Sequence, residues 1–409
     1  MINLRMLKLS DKTIWFCMFF LIAVGFLAIL SVTYKTVLNE NHSALFYLSK
    51  QFGSFIVGLI GMAFFAYLDY NHLKKVAIPL YIGMLLLLVF VLFQGTSAYG
   101  AQRWINLGLL SFQPSEITKL VVIIALAAYF TNRQGKSNPL LTLSIMGIPF
   151  LLIFKQPDLG TALVIAAISF GMLIWDKSSP IMLAMVVTPF LSLIFRPNIF
   201  LWLFYIFMVW FFLYFSRVKM SDMLIIMGLN IGVGIALPLI WGFLKEYQRM
   251  RIIAFLNPGV DPHGAGYHTL QSIIASGSGG FLGKGFLQGT QTQLHFIPEQ
   301  HSDFIYSAIT EEFGFVGAVM VLTALFSLIR QAFIVASEAS DYFGGTLVCG
   351  SAVMLMFHTL ISIGMVLGVM PVVGIPLPFV SFGGTALIVN MILVGIIQSV
   401  AMRRRDLIF

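Results

Sequence analysis

Charge is scarce in this sequence. Asp, Glu, Lys and Arg make up 10% of its 409 residues, against roughly 25% in soluble domains. So few charges cannot cover a water-facing globule of this size, and no stretch is polar enough to be a separate soluble domain. Cysteine is nearly absent. Cys17 and Cys349 both lie in apolar runs, which leaves neither a disulfide framework nor a cysteine metal site. What fills the chain is apolar: 59% hydrophobic residues, with 39 Phe and 21 Met. The fold expected is all-α, a polytopic transmembrane helical bundle.

The formal net charge of +8 could suggest nucleic acid, but the charges are in the wrong places for it. Arg5, Lys8 and Lys12 precede the first apolar run, Lys74 and Lys75 follow the second, and Arg133 and Lys136 follow the fourth. Lys177, Arg217 with Lys219, Arg330, and Arg403 to Arg405 continue the series. Basic groups at alternate crossings follow the positive-inside rule for cytoplasmic loops. They imply no nucleic-acid partner. The first apolar run is as long as a full span, so no cleavable signal is expected.

Spans are expected near 13–33, 52–69, 76–93, 116–131, 139–154, 159–175, 180–195, 197–215, 222–244, 306–330, 345–369 and 384–402. Pro180, Pro189 and Pro197 punctuate the 180–215 stretch. If that stretch is a tight helical hairpin the count is twelve, and if it re-enters on one side the count is ten. Either way both termini are cytoplasmic. One domain then covers 1–409, with outer loops at 94–115, 245–305 and 370–384. The 245–305 segment mixes Gly, aromatic and ionisable residues, and long loops of that kind are usually functional or disordered. No internal repeat of the transporter kind is evident.

Several charges fall where a bilayer should not contain them. Glu116 and Lys119 stand at i and i+3 in SEITKLVVIIALAAYF, on one helix face and close enough to pair. A charge at the bilayer centre costs about 2.5–3.5 kcal/mol on insertion scales. The two therefore either lock this helix to its neighbours or line a cavity for substrate or water. Asp158, in KQPDLGTALV, begins the sixth span. It reads as an N-cap, or as a partner of Lys119 or Arg103.

The stretch GSGGFLGKG at 277–285 is not a P-loop, because the Gly-to-Lys spacing fails and Gly285 replaces the Ser/Thr. It is either flexible turns or a backbone nest in which Lys284 binds a phosphate ester. His263, His268, His295 and His301 lie in the long loop without zinc-site spacing. His301 is the best placed, beside Glu299 and Asp303.

GAQRWINLGLLSFQPSEITKL, KQPDLGTAL, NPGVDPHGAGYHTLQSIIASGSGGFLGKG, GTQTQLHFIPEQHSDFIYSAITEEFG and PVVGIPLPFVSFGG resemble, in order, the motifs of the SEDS family (shape, elongation, division and sporulation). The RodA-like branch is the better match, with the FtsW-type division polymerase as alternative. The resemblance implies a peptidoglycan glycosyltransferase that polymerises lipid II in the bacterial cytoplasmic membrane, with its active site on the outer face. Its implied partners are a class B penicillin-binding protein transpeptidase and the elongation machinery. The family's essential acidic residue falls on Asp261.

Arg103, Arg249, Arg251 and Lys284 match as cations for the pyrophosphate. Glu299, His301, Asp303 and Ser381 match as further substrate-binding residues, and Glu116, Lys119 and Asp158 as an intramembrane polar cluster. A divalent cation, Mg or Mn, is left open. Two departures stand out: room for two extra spans between Trp175 and Lys245, and Ser362 where RodA-like chains often carry Asn. The residues alone also leave open a lipid II flippase and a non-catalytic scaffold for the transpeptidase.

Overall fold

The computed structural model describes residues 8–34, 44–94, 96–98, 101–106, 111–133, 138–244, 246–256, 265–294, 296–297 and 300–404. Twelve apolar helices stand where the hydropathy pattern put spans. They are α1 (Lys12–Tyr34), α2 (Ala44–Tyr67), α3 (Asn71–Gln94), α4 (Pro114–Arg133), α5 (Pro139–Lys155) and α6 (Leu159–Trp175). After them come α7 (Pro180–Phe195), α8 (Ile199–Phe215), α9 (Met220–Phe243), α13 (Ile305–Ser337), α14 (Tyr342–Val366) and α15 (Gly384–Arg403). Eight of these are long and apolar enough to cross a membrane, while α5 to α8 are shorter apolar helices of 16 or 17 residues. At 1.5 Å per residue the shorter ones reach about 25 Å.

Local chemistry sets where these helices start. Asn138, Ser179 and Asn198 cap α5, α7 and α8 with their side-chain oxygens, and Pro follows the cap in α5 and α7. Their side chains answer backbone N–H groups that a helix leaves open at its first turn. Inside the bundle, α4, α14 and α15 are buried on nearly every face, and their small residues permit close packing. A Cβ on Gly395 would sit 2.4 Å from the Met62 carbonyl oxygen, so α2 and α15 can cross this closely only with glycine there.

The 180–215 stretch forms two successive helices, α7 and α8, joined by a turn at 196–198. With α9 they build a satellite core around Met185, Leu213 and Ile226. Polar ties hold it together. Trp202 Nε1 donates to Ser192 Oγ at 2.7 Å, Ser192 Oγ donates to the Asn230 carbonyl, and Arg196 Nε donates to the Gly234 carbonyl.

Two features modify the sequence reading. The all-α expectation needs one addition, a small antiparallel sheet of β1 (Thr96–Ala98), β2 (Ala101–Asn106) and β3 (Ser111–Phe112) within the expected loop at 94–115. Ile105 pairs with Phe112 and Asn106 with Ser111. The long 245–305 segment carries three helices of its own, α10 (Glu246–Leu256), α11 (Ala265–Ser278) and the single turn α12 (Thr290–Gln293).

Candidate functional site

A cavity of about 340 Å³ opens at the end of the bundle opposite the basic loops. Five separate segments wall it. Lys50 and Ser54 come from the first turns of α2, and Trp104 and Gln113 from the sheet and its exit. Glu116 and Asp158 face it from the starts of α4 and α6. His301 to Asp303 precede α13, and the chain from Gly374 to Ala386 closes the remaining side.

Glu116 and Lys119 form the expected pair. The ammonium lies 2.8 Å from both carboxylate oxygens, and Lys119 is 1% exposed. It also donates to His358 Nε2 at 3.2 Å. Lysine can only donate here, so the His358 proton sits on Nδ1, which has no partner among the described residues. Glu116 fronts the cavity while its charge is answered from behind.

Asp158 is the N-cap of α6, accepting from Thr161 N at 3.2 Å. Its other oxygen accepts from Thr161 Oγ1, Gln113 Nε2 and Ser115 Oγ at 3.0–3.2 Å. Of the two readings of Asp158 the capping one is formed; Lys119 is held by Glu116 and His358, and the capped end of α6 is a cavity wall.

His301 and Asp303 reach the same space. A Cβ on Gly374 would stand 3.3 Å from Asp303 Oδ2 and 3.9 Å from Arg251 Nη1, so α10 brings Arg251 to the wall that carries Asp303. The His301 ring packs with Tyr47 and Phe382 at centroid distances of 5.0 and 5.3 Å. Its carbonyl accepts from Phe382 N.

Ser381 is spent on its own loop. Its hydroxyl accepts from Leu377 N at 2.9 Å, and its carbonyl accepts from Gln51 Nε2. Gln51 Oε1 in turn accepts from Gly383 N. Ser381 is 5% exposed and is not among the residues lining the cavity; its bonds tie together the loop behind the wall.

Of the two readings of 277–285, turns or a phosphate nest, the nest is not formed. Lys284 N donates to the Glu311 carbonyl and Gly285 N to the Glu312 carbonyl, so these N–H groups already have partners. The glycines serve close packing. A Cβ on Gly283 would meet the Glu312 carbonyl at 2.1 Å, and one on Gly314 would meet Gly283 N at 2.3 Å, both at positive φ. Lys284 Nζ binds Glu311 Oε1 at 2.8 Å, together with Ser278 and Thr290, and does not line the cavity. Arg249 donates to the Gly242 carbonyl at 2.7 Å, a tie to the end of α9.

Asp261 and Glu299 lie outside the described residues, as do His263 and His295. The side chain of Arg103, whose backbone runs in β2, does too.

Residue-by-residue reading missed Lys50, Gln51, Trp104, Gln113 and His358. It also missed a second buried acidic pair. Glu311 is fully buried and accepts from Lys284, from Gln291 N, and from both N and Oγ1 of Thr292. Glu312 binds Ser31 of α1 and Gln293. The signal was in ITEEFG, two carboxylates inside a membrane helix, which calls for the same scrutiny as Glu116. Among the described residues no three His, Cys, Asp or Glu side chains converge as a metal site.

Fold and cavity together define an integral membrane protein with a polar pocket sunk into one end of its helical bundle. The chain matches the model of the FtsW/RodA/SpoVE cell cycle proteins over residues 11–179 and 174–406, and it belongs to that family. It is 36% identical over 373 residues to the peptidoglycan glycosyltransferase MrdB of Escherichia coli, covering 88% of this chain and 87% of that protein. It is 33% identical to the peptidoglycan glycosyltransferase RodA of Treponema pallidum, covering 94% and 96%.

Among solved structures it superimposes on the rod shape determining protein RodA of Thermus thermophilus with a TM-score of 0.64 at 25% identity, over 97% of this chain and 98% of that one. A chain of a peptidoglycan synthase complex gives 0.70 at 26%, over 97% and 99%. Of the function classes the residues left open, these relatives select the enzyme: the chain is a peptidoglycan glycosyltransferase of the SEDS type.

Proposed function

We propose that this chain polymerises lipid II into glycan strands during cell elongation, on the outer face of the bacterial cytoplasmic membrane. The observation that carries this reading is the cavity. It gathers Glu116, Asp158, His301 and Asp303 from distant parts of the sequence, with Arg251 reaching its wall. It also lies at the ends of helices, where a headgroup can enter while its lipid tail stays in the bilayer.

In the reaction, the 4-hydroxyl oxygen of the acceptor sugar forms a bond to the anomeric carbon of the donor. The bond from that carbon to undecaprenyl pyrophosphate breaks. The acceptor proton needs a base within hydrogen-bond reach, a role assigned to Asp261 by its place in NPGVDPHGAGY. That motif joins α10, which carries Arg251, to α11. The donor passes through an oxocarbenium-like state of the kind glycosidases stabilise. Charge develops on the departing pyrophosphate, where fixed cations lower the barrier most.

We further infer that a class B penicillin-binding protein crosslinks the product, in keeping with the relative solved within a synthase complex. No step of the scheme passes through a metal ion.

The test is a lipid II polymerisation assay on purified protein, parent against Asp261→Asn, each with EDTA and with added Mg or Mn. Loss of polymer in a folded Asp261→Asn supports the assignment, and polymerisation at the parent rate overturns it. Dependence of the parent on added ion would bring the divalent cation back into the mechanism.

A further inference from the structure

We propose that Lys50 is a cation that holds the diphosphate of a polyprenyl-linked sugar, or of the polyprenyl diphosphate released from it, in the cavity. The inference rests on the glycosyl transfer proposed above and adds to it a residue on α2.

The charges around the cavity point to Lys50 by their engagements. Both oxygens of Glu116 are held by Lys119. Those of Asp158 accept from Thr161, Gln113 and Ser115. Arg251 reaches the same wall as Asp303. Lys284 is paired with Glu311, and neither it nor Arg249 lines the cavity. Lys50 lines the same cavity, is exposed, and makes no ion pair among the described residues. Its ammonium lies 4.4 Å from the Phe46 ring centroid, a contact that keeps the charge in place without neutralising it.

Its position is fixed from the next residue. Gln51 clamps both the Ser381 carbonyl and Gly383 N, which ties this turn of α2 to the closing wall of the cavity. The Lys50 carbonyl accepts from Ser54 Oγ, itself on the lining. Lys50 also stands at the wrong end of its helix for topology, since the basic groups that orient the chain sit at the opposite end of the bundle. On the other side of the same helix Phe52, Ile56, Ile60 and Phe64 are exposed at four-residue intervals, an apolar stripe turned to the bilayer while Lys50 and Ser54 face the cavity. A cavity cation on a helix that also meets the bilayer suits a diphosphate on a long isoprenoid tail, which lysine binds as a point charge.

Binding of farnesyl diphosphate and of farnesol to purified protein in detergent tests this, comparing parent, Lys50→Gln and Lys50→Arg, with thermal melts as a check on folding. Hydrogen bonds to charged groups predict that Lys50→Gln weakens diphosphate binding by about tenfold to a hundredfold. Farnesol binding should stay unchanged, and Lys50→Arg should stay close to the parent. In polymerisation the Gln variant should raise KM for lipid II more than it lowers kcat. Should Lys50→Gln not fold, Lys50→Met replaces it, keeping the alkyl stem. Equal diphosphate binding by parent and neutral variant overturns the proposal, and so does an Arg variant as weak as the Gln one. A parent that prefers farnesol to the diphosphate would instead remove the glycosyl-transfer reading beneath it.

Discussion

Glu116 and Glu311 are both buried carboxylates answered by a lysine at 2.8 Å, yet only Glu116 faces a void. Glu116 fronts the cavity with Lys119 and His358 behind it. Glu311 takes up the N–H groups that start the short turn at Thr290–Gln293 and holds the glycine-rich loop against α13. One cluster leaves room for a ligand, while the other fills its own space with protein donors. A charge inside a membrane helix is therefore not in itself a site. The difference lies in whether the neighbouring chain closes over it.

The largest effect should come from breaking the closed cluster. Glu311→Ala leaves Lys284 and several N–H groups without their acceptor, and removal of one partner of a buried pair costs about 3–5 kcal/mol, readable as a large drop in thermal unfolding temperature. The open cluster should respond differently. Replacing the whole pair, Glu116→Gln with Lys119→Met, removes both charges together, so stability should stay within about 1 kcal/mol. Polymerisation should fall by about tenfold or more, because small displacements in a positioning group are felt strongly in rate. A double variant that keeps its rate would make Glu116 as structural as Glu311.

A smaller effect tests the same distinction from the lysine side. Lys284→Met leaves Glu311 buried but still bonded to Thr290, Gln291 and Thr292, so it should cost about 1–3 kcal/mol, with the rate per folded molecule unchanged. A fall in that rate would show Lys284 acting on substrate and erase the contrast.

The spans were legible because long apolar runs have one stable form in a bilayer, and the twelve helices stand where those runs stand. The pairing of Glu116 with Lys119 was legible from their spacing alone. The sheet was not, since strands of three, six and two residues are too short to show alternation. The packing of Lys284 was hidden for a physical reason: glycine-rich sequence shows that backbone N–H groups are accessible, but not that carbonyls of Glu311 and Glu312 already take them. Lys50 was visible as a basic residue opening an apolar run, on the end of the helix where topology asks for none. Its importance came only with the cavity, which is assembled from segments more than three hundred residues apart.

The cavity sits toward one end of the bundle, at the starts of α4 and α6 and within the first half of α2. A transmembrane voltage acts on a charge in proportion to the share of the field that charge crosses, at about 2.3 kcal/mol per elementary charge per 100 mV for the full thickness. A diphosphate seated here crosses only the outer share of it. Chain elongation in reconstituted vesicles should therefore run at the same rate whether or not a potential is imposed, and a clear dependence on voltage would mean that the headgroup travels deeper than this pocket.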